Sequence, residues 1–242
     1  VFYDQRSHGR SARSRSEHCT IQQLGRDLAA VIEELTPDEQ VVLVGHSMGG
    51  MTIMELAEQR PDLFGTRVVG VALLSTSAGG LNSRSLGLHG APGRVLSMVS
   101  PALVATLARS SRLVESGRRA GSDIGFVLTR RLAFGGVVPQ EYVDFTDEML
   151  SATPIEVVAS FWPVFESLDG YRALATLAEV PTSIVCGTKD AITPIAHSRR
   201  IAELLPSADF LELPGVGHMI MLESPDELSA ALVGLVEKAR VS

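Results

Sequence analysis

Lysine is almost absent from this chain: of its 21 basic residues only Lys189 and Lys238 are lysines. Such a bias towards arginine is typical of GC-rich bacterial genes. Acidic residues outnumber basic ones, and the formal net charge is −7. A surface that binds nucleic-acid phosphates has to be basic, so this charge balance argues against a nucleic-acid partner. We expect the one arginine cluster (Arg6, Arg10, Arg13 and Arg15) to lie in a solvated loop.

Cysteines and long apolar runs are also scarce. Cys19 and Cys186 are too few for a disulfide framework, so we expect free thiols and a reducing, cytoplasmic location. Cys186 lies in an apolar, strand-like segment, which favours a buried and inert thiol over a nucleophile. The longest apolar run, residues 68–74, is too short to cross a bilayer. We therefore expect no stable insertion into a membrane.

Short β-branched runs alternate with amphipathic helical patterns along most of the chain. This alternation predicts a mostly parallel sheet with helices on both faces. The predicted strands are residues 41–45, 68–76, 182–187 and 209–214. Helices are predicted over 20–35 and from 48 to about Pro61. Two further helices are predicted to begin at Pro194, with Thr193 as the N-cap, and at Ser224, with Pro225 at the first helical position. Thr20 with Gln23, and Ser224 with Glu227, have the spacing of capping boxes.

The pattern changes between residues 78 and 177, where glycine and proline breaks separate amphipathic stretches and no strand is evident. Helices are predicted here over 97–110, 139–150 and 154–168. We therefore divide the chain into an α/β core, residues 1–77 and 178–242, and a helical insertion, residues 78–177. Six apolar residues of the insertion are candidates for a substrate wall, or alternatively for internal packing of the insertion: Met98, Leu103, Leu107, Phe161, Trp162 and Phe165.

The sequence VGHSMGG joins a buried strand directly to a helix. Its Gly45-x-Ser47-x-Gly49 pattern is weak alone, but the strand–turn–helix setting is the one that a nucleophile elbow requires. The sharp turn forces the serine into a strained backbone conformation, and we expect glycines at 45 and 49 to remove collisions with nearby side chains. The serine hydroxyl then projects at a helix N-terminus, where the Met48 N–H becomes an oxyanion donor. The alternative is a glycine turn that serves packing or phosphate binding.

A serine hydroxyl needs a base and an orienting acid to act as a nucleophile. His218 is our candidate base, because it stands in a glycine-punctuated loop between the last strand and the last helix. We expect a structural role for His46, and surface positions for the remaining histidines, namely His8, His18, His89 and His197. Asp190 follows the strand 182–187 and is the candidate acid; the alternative is a helix-entry cap. The end of the preceding strand, LLSTSA, offers only hydroxyls.

Together, the segments DQRSHGRS, GHSMGG, CGTKDAITP and GVGHMIMLESP resemble the α/β-hydrolase superfamily, in particular its serine esterase and lipase-like members with a helical cap. The resemblance covers nearly the whole chain and implies an α/β-hydrolase fold. It places the nucleophile, acid and base on Ser47, Asp190 and His218. The helical insertion falls where these enzymes carry a cap or lid over the active site.

The resemblance also bears on the opening residues, VFYDQRSHGRS. Residues 1–4 look like the fourth strand of the family, and the residues after them look like the loop that follows it. We therefore expect the chain to be a fragment that lacks three strands, one helix and the loop donating the second oxyanion N–H. The family places its third strand between the fourth and the fifth, so the loss would leave a gap inside the sheet. One missing oxyanion donor lowers rates by about 10²–10³-fold.

These residues predict a serine hydrolase that cleaves a small-molecule carboxylic ester through an acyl-enzyme on Ser47. No metal and no organic cofactor are implied. The same three residues would also serve a C–C bond hydrolase, a thioesterase or a haloperoxidase of the perhydrolase type. A ligand-binding relative without turnover is a further alternative from a different class.

Overall fold

A four-stranded parallel sheet forms the centre of the molecule. The computed structural model describes residues 1–81 and 130–241. The strands are β1 (Val41–His46), β2 (Val68–Leu74), β3 (Thr182–Gly187) and β4 (Asp209–Leu213), and they lie side by side in this order. All three pairings are parallel. The strand predictions and the α/β class are therefore confirmed.

Helices flank the strands in sequence and cover both faces of the sheet. Two single 3₁₀ turns also occur, at Ser16–His18 and Pro61–Leu63. The α-helices that lie wholly within the described residues are α1 (Ile21–Leu35), α2 (Met48–Gln59), α3 (Gln140–Ser151), α4 (Ile155–Glu166), α5 (Ala173–Leu177), α6 (Ile195–Leu204), α7 (Ile220–Glu223) and α8 (Pro225–Ala239). The helices predicted over 139–150 and 154–168 match α3 and α4, whereas the one over 97–110 lies outside the described residues. No described helix is both long and apolar enough to cross a membrane.

Alternate residues of each strand enter two different hydrophobic clusters. In β2, Val71 and Leu73 pack among residues of α1, α2, α5 and α6. Ala72 and Leu74 point to the other face, where α7 and α8 cover the sheet. This alternation is the period-2 pattern expected of a strand that is buried on both faces.

The helix starts differ in detail from the predicted caps. The Thr20 side chain accepts the Gln23 N–H at 3.1 Å, but the Gln23 amide donates to Asp27 instead of completing a box. The helix after β3 begins at Ile195 with Pro194 as its N-cap, one residue later than predicted. Ser224 is the N-cap of α8 as predicted, yet its side chain makes no capping hydrogen bond.

The strand expected at residues 1–4 is not formed. Residues 1–5 have no regular structure, and Phe2 is fully exposed. A β-strand is held by hydrogen bonds to a neighbour, and the opening residues do not pair with β1. Asp4 instead accepts the backbone N–H of Arg10 at 2.9 Å, which folds the segment back on itself. Arg6 is bound to Asp27 through two hydrogen bonds of 2.6 and 2.7 Å, so it is not a free surface cation.

The segment that follows β2 is in contact with the segment that precedes α5. Gly79 forms an isolated bridge with Asp169, and the Gly170 N–H donates to the Ala78 carbonyl at 2.6 Å. Beyond this point α5 packs into the same core cluster as the sheet. The division into a core and an insertion at 78–177 stays a prediction.

Candidate active site

The residues singled out in the sequence meet at the carboxyl ends of the strands. Ser47 directly follows β1, Asp190 lies three residues beyond β3, and His218 lies in the loop after β4. Because parallel strands end at one edge of a sheet, these loops are neighbours, and ligands bind at this edge in open α/β folds.

Ser47 has the strained conformation expected of an elbow. Its φ is 54° and its ψ is −118°, a region that non-glycine residues rarely adopt and that costs about 1–3 kcal/mol. The turn is held because the Ser47 N–H donates to the Leu74 carbonyl and the Thr76 hydroxyl donates to the Ser47 carbonyl. Met48 begins α2, so helix geometry leaves its N–H without an acceptor inside the helix.

The glycine requirement at the elbow differs partly from the prediction. A Cβ on Gly45 would lie 2.5 Å from the Gly49 carbonyl carbon, so no side chain fits there. A Cβ on Gly49 would meet nothing within 4 Å, so the collision expected at that position does not exist. The second tight position is Gly50, whose Cβ would lie 2.7 Å from the Thr76 side chain.

Asp190 and His218 form a buried, hydrogen-bonded pair. Each is only 5% exposed, and His218 Nδ1 lies 2.8 Å from Asp190 Oδ2. The Thr193 hydroxyl donates to the same oxygen at 2.8 Å, and the backbone N–H groups of Ile192 and Thr193 donate to Oδ1. The carboxylate therefore has four nitrogen and oxygen donors, and the Cys186 thiol lies 4.0 Å from Oδ2 as a weak fifth donor. Thr193, predicted as a helix cap, instead supports the acid.

These contacts set the charge of Asp190. Burial by itself would raise the pKa of this carboxyl, but the hydrogen bond and charge of His218 and the donors of Thr193 outweigh burial and hold the pKa below its ordinary value of 3.8. The ionised carboxylate can only accept a hydrogen bond, so His218 carries its proton on Nδ1. His218 Nε2 is then left to act as a base.

The structure does not show every contact of the expected triad. Within the described part of the chain, Asp190 and His218 are in contact, but no hydrogen bond joins the Ser47 and His218 side chains. The three roles therefore stay predictions. In proteins without bound substrate, hydrogen bonds of this kind are often long and tighten only when substrate binds.

His46 lies against the histidine of this pair. The centres of the two imidazole rings are 4.6 Å apart, and His46 Nε2 lies 2.9 Å from the His218 carbonyl oxygen. Burial is the largest cause that lowers the pKa of His46, to about 4, followed by the charge of His218. His46 is therefore a neutral neighbour of the candidate base.

Of the other histidines, only His18 is confirmed as a surface residue. His197 is half-buried, with Nδ1 2.9 Å from Ser77 Oγ and 3.1 Å from the Gly79 carbonyl oxygen, and burial lowers its pKa. It therefore ties α6 to the loop after β2, which the polar surroundings in the sequence did not indicate. His8 is also half-buried, with its ring 5.6 Å from that of Phe161. His89 lies outside the described residues.

The loop that carries His218 is fastened to the segment just before α3. The Ala133 carbonyl accepts the backbone N–H groups of His218 and Met219 at 2.9 and 3.0 Å. The Glu223 carboxylate accepts the N–H of Gly217 at 2.7 Å and that of Gly135 at 3.0 Å. Sequence reasoning missed Glu223, although its place in the loop-to-helix segment GHMIMLESP was the available signal.

Both cysteines are free, as predicted, and both are buried, which was predicted for Cys186 alone. Burial raises the pKa of Cys186 to about 11, so its thiol stays protonated and is a poor nucleophile. The neighbouring Lys189 is exposed. Within the described ranges, no group of three or more histidine, cysteine or acidic residues could hold a metal ion.

The aromatic residues of the insertion fall into two sets. Phe161 is buried in an apolar cluster with Met51, and Phe165 and Met48 pack against that cluster. Two of the candidate substrate-wall residues thus share an apolar cluster with the side chain of the candidate oxyanion residue. Trp162 is half-buried and is not part of this cluster. The candidates Met98, Leu103 and Leu107 lie outside the described residues.

Two curated proteins are similar to nearly the whole chain. The non-heme haloperoxidase of Rhodococcus erythropolis is 25% identical over 254 residues, which cover 98% of this chain and 81% of that protein. The dihydrolipoyllysine-residue acetyltransferase component of the acetoin cleaving system of Pseudomonas putida is 24% identical over 245 residues. This match covers 98% of the chain but only 56% of that relative, so the chain spans little more than half of its length.

Solved structures show the same fold. A thermophilic esterase from Thermogutta terrifontis has a TM-score of 0.68 at 23% identity, over 98% of this chain and 78% of that one. The enol-lactonase from Burkholderia xenovorans LB400 has a TM-score of 0.70 at 23% identity, over 97% of this chain and 79% of the enol-lactonase. The sequence model of the alpha/beta hydrolase family matches residues 1–231. The chain therefore belongs to the alpha/beta hydrolase family.

Proposed function

We propose that this chain is a serine hydrolase that cleaves a carboxylic ester through an acyl-enzyme on Ser47. The observation that carries the proposal is the buried Asp190–His218 pair, with its 2.8 Å hydrogen bond, at the sheet edge where Ser47 stands at a strained elbow. A carboxylate that orients a histidine next to such a serine is the arrangement that activates a hydroxyl.

The first half of the reaction forms the acyl-enzyme. Ser47 Oγ attacks the carbonyl carbon of the ester while His218 Nε2 takes the hydroxyl proton. The Met48 N–H, at the N-terminus of α2, stabilises the negative oxygen of the tetrahedral intermediate. The intermediate then collapses, the alcohol leaves, and His218 returns the proton to the leaving oxygen.

The second half releases the acid. Water attacks the acyl carbon and gives a proton to His218, and Ser47 leaves with that proton restored. Asp190 stays ionised throughout, because its donors hold its pKa below the ordinary value. It keeps the proton of neutral His218 on Nδ1 and stabilises the imidazolium that forms in each half. The proposed reaction uses three side chains, the Met48 backbone N–H and water.

The apolar cluster beside the elbow favours an ester with an apolar acyl group. Phe161 and Met51 are buried in it, and Met48 and Phe165 pack against it from positions that are only partly buried. An apolar group that displaces water from such a surface gains binding energy in proportion to the buried area. Trp162 is assigned to the substrate wall on its sequence position alone.

A second candidate is a perhydrolase-type haloperoxidase, which the named activity of the Rhodococcus erythropolis relative favours. It would use the same acyl-enzyme, with hydrogen peroxide replacing water in the second half. Thioesterase and C–C bond hydrolase activities share the same residues, and a binding protein without turnover is the alternative from another class. The fold is common to all of them.

A panel of p-nitrophenyl esters of increasing acyl length, assayed with this chain and its Ser47→Ala variant, tests the proposal. We expect hydrolysis by the chain and none above background by the variant, with equal far-ultraviolet circular dichroism. Thioester, bromination and ligand-binding assays on the same samples separate the alternatives. Equal hydrolysis by both proteins would remove Ser47 from the mechanism.

We also propose a cytoplasmic location, which the two buried, unpaired cysteines support. Fractionation of cells that express the natural gene tests this, and recovery of the protein from the periplasm or medium would contradict it.

A further inference from the structure

We propose that His46 is a positioning residue for His218, and that it acts by binding the backbone of the base with its own imidazole N–H. This inference rests on the proposed function, because positioning matters only if His218 is the base. The sequence motif did not suggest this role, since it indicated only a structural position before the nucleophile.

His46 joins the two halves of the candidate site through a single side chain. It is the last residue of β1, directly before Ser47, and its hydrogen-bond partner lies 172 residues further along the chain. Its Nε2 lies 2.9 Å from the His218 carbonyl oxygen, and the two rings are tilted by 50° with centres 4.6 Å apart. His46 therefore connects the turn that carries Ser47 to the loop that carries His218.

The two anchors of His218 act on opposite sides of its backbone. Its N–H donates to the Ala133 carbonyl at 2.9 Å, and its carbonyl accepts from His46 at the same distance. The side chain is held by Asp190 at Nδ1. Loss of the His46 bond would leave the peptide after His218 held to Ala133 through the Met219 N–H, but no longer held to the turn that carries Ser47. Small displacements of a base from its nucleophile are costly in rate.

The acceptor fixes the protonation of His46. A carbonyl oxygen can only accept, so His46 Nε2 carries the proton and the ring is in the Nε2–H tautomer. Burial first, and then the charge of His218, hold its pKa far below the usual value, while Asp190 acts in the opposite direction. His46 thus stays neutral while His218 gains and loses a proton beside it. A second imidazolium at this distance would oppose the charge that develops on the base.

Two variants separate the N–H donor from the ring. His46→Phe keeps a ring against His218 and removes the donor, whereas His46→Gln loses the ring but can place an amide N–H near the position of Nε2. The readout is the rate of labelling by a fluorophosphonate. In that reaction the Ser47 Oγ–phosphorus bond forms, the phosphorus–fluorine bond breaks, and the hydroxyl proton goes to His218.

We expect His46→Phe to be labelled about tenfold more slowly than the unmodified chain at saturating probe, with half-saturation at the same probe concentration. His46→Gln should stay within about threefold of the original rate. A purely structural role would lower the melting temperature of both variants without this split. Labelling of His46→Phe at the original rate, or equal slowing of both variants, would overturn the inference.

A second readout does not depend on Ser47. In ¹⁵N-labelled protein, the His218 Nδ1 proton that is shared with Asp190 gives a low-field ¹H resonance. We expect this resonance to shift or broaden in His46→Phe and to persist in His46→Gln. If no form is labelled, the proposed function fails, and this resonance still decides the inference. An unchanged resonance in His46→Phe would contradict a positioning role.

Discussion

Asp190 is the residue at which burial and hydrogen bonding compete most directly. Burial would raise its pKa, but the hydrogen bond and charge of His218 and the two donors of Thr193 reverse that effect and keep the carboxylate ionised. Replacing it by asparagine keeps the shape but supplies an N–H where His218 needs an acceptor, which favours the wrong imidazole tautomer. We expect Asp190→Asn to lower kcat for ester hydrolysis by roughly 10⁴-fold.

The measurement is steady-state hydrolysis by Asp190→Asn against the unmodified chain, with Lys189→Gln, a change at an exposed neighbouring residue, as the matched control.

The same carboxylate also predicts a pH dependence of stability. Because its pKa is lowered in the folded state, it contributes to the free energy of unfolding above pH 3.8, and this contribution is lost as the pH falls below that value. The stability difference between the chain and Asp190→Asn should therefore shrink below pH 3.8. A near-normal kcat in the variant would place the acid elsewhere.

His46 predicts a pH dependence of stability in a different range. Its pKa is lowered from 6.5 to about 4 by burial, so the unfolded chain binds a proton at pH values where the folded chain does not. Stability is therefore unaffected by this group above pH 6.5 and falls as the pH drops from 6.5 towards 4, by up to about 3 kcal/mol.

Urea denaturation at pH 7, 5.5 and 4.5 measures this slope. We expect the free energy of unfolding of the chain to fall more steeply than that of His46→Gln, which has no titrating group at the position. Parallel slopes for the two proteins would show that His46 is exposed to solvent or protonated in the folded state.

At the scale of elements, the neighbouring residues Gly49 and Gly50 of the β1–α2 elbow differ in the space that is available for a side chain. A Cβ on Gly50 would lie 2.7 Å from the side chain of buried Thr76, whose hydroxyl holds the Ser47 carbonyl. We expect Gly50→Ala to destabilise the fold by about 1–3 kcal/mol through overpacking.

Gly49→Ala is the matched control, because a Cβ there meets nothing within 4 Å and alanine favours a helix over glycine by up to about 1 kcal/mol. Urea denaturation of both variants gives the two free energies of unfolding. Equal destabilisation of both would mean that the elbow is not packed against Thr76 in this way.

The base loop is the second element whose position depends on one side chain. The Glu223 carboxylate accepts the N–H groups of Gly217 and Gly135, and a glutamine amide would turn a donor towards one of them. We expect Glu223→Gln to be less stable by about 1–3 kcal/mol, with faster amide hydrogen exchange at both glycines. Glu227→Gln, an exposed change in the first turn of α8, should leave both exchange rates unchanged. Unaltered exchange in Glu223→Gln would contradict the clamp.

At the scale of the whole molecule, α4 is held to the sheet-bearing part through the apolar cluster that contains Phe161. This cluster brings together Val157 and Phe161 of α4 with residues of α1, α2 and Leu81. We expect Phe161→Ala to cost about 3–5 kcal/mol of stability and to raise KM for long-chain esters more than for acetate. Thermal unfolding and an acyl-length series measure the two effects. Phe145→Ala, at an exposed position of α3, is the control.

Features that are determined by a short stretch of sequence could be predicted, whereas features that depend on contacts with distant residues could not. The strands were predictable because β-branched runs such as Val41–His46 are local patterns, and Ser47, Asp190 and His218 were placed from their positions after strands. The helices α5 and α7, with five and four residues, are too short to show a helical period. The strand expected at residues 1–4 required a hydrogen-bonding neighbour, which a local pattern does not specify.

The supporting contacts could not be predicted, because they join residues that are remote in the chain. His46 reaches a carbonyl 172 residues away, and His197 binds a loop about 120 residues before it. The Thr193 hydroxyl could cap a helix or bind Asp190, and only the three-dimensional arrangement decides between them. Composition and spacing thus indicate which chemistry is available, whereas packing decides which residues support it.

The central claim is an activated Ser47, and intact-mass detection of a fluorophosphonate adduct tests it most directly. The chain and its Ser47→Ala variant would be treated with the same probe at neutral pH, after circular dichroism shows that both are folded. We predict a single adduct on the chain and none on the variant. A folded chain that gains no adduct, or a variant that gains the same adduct, would contradict the claim.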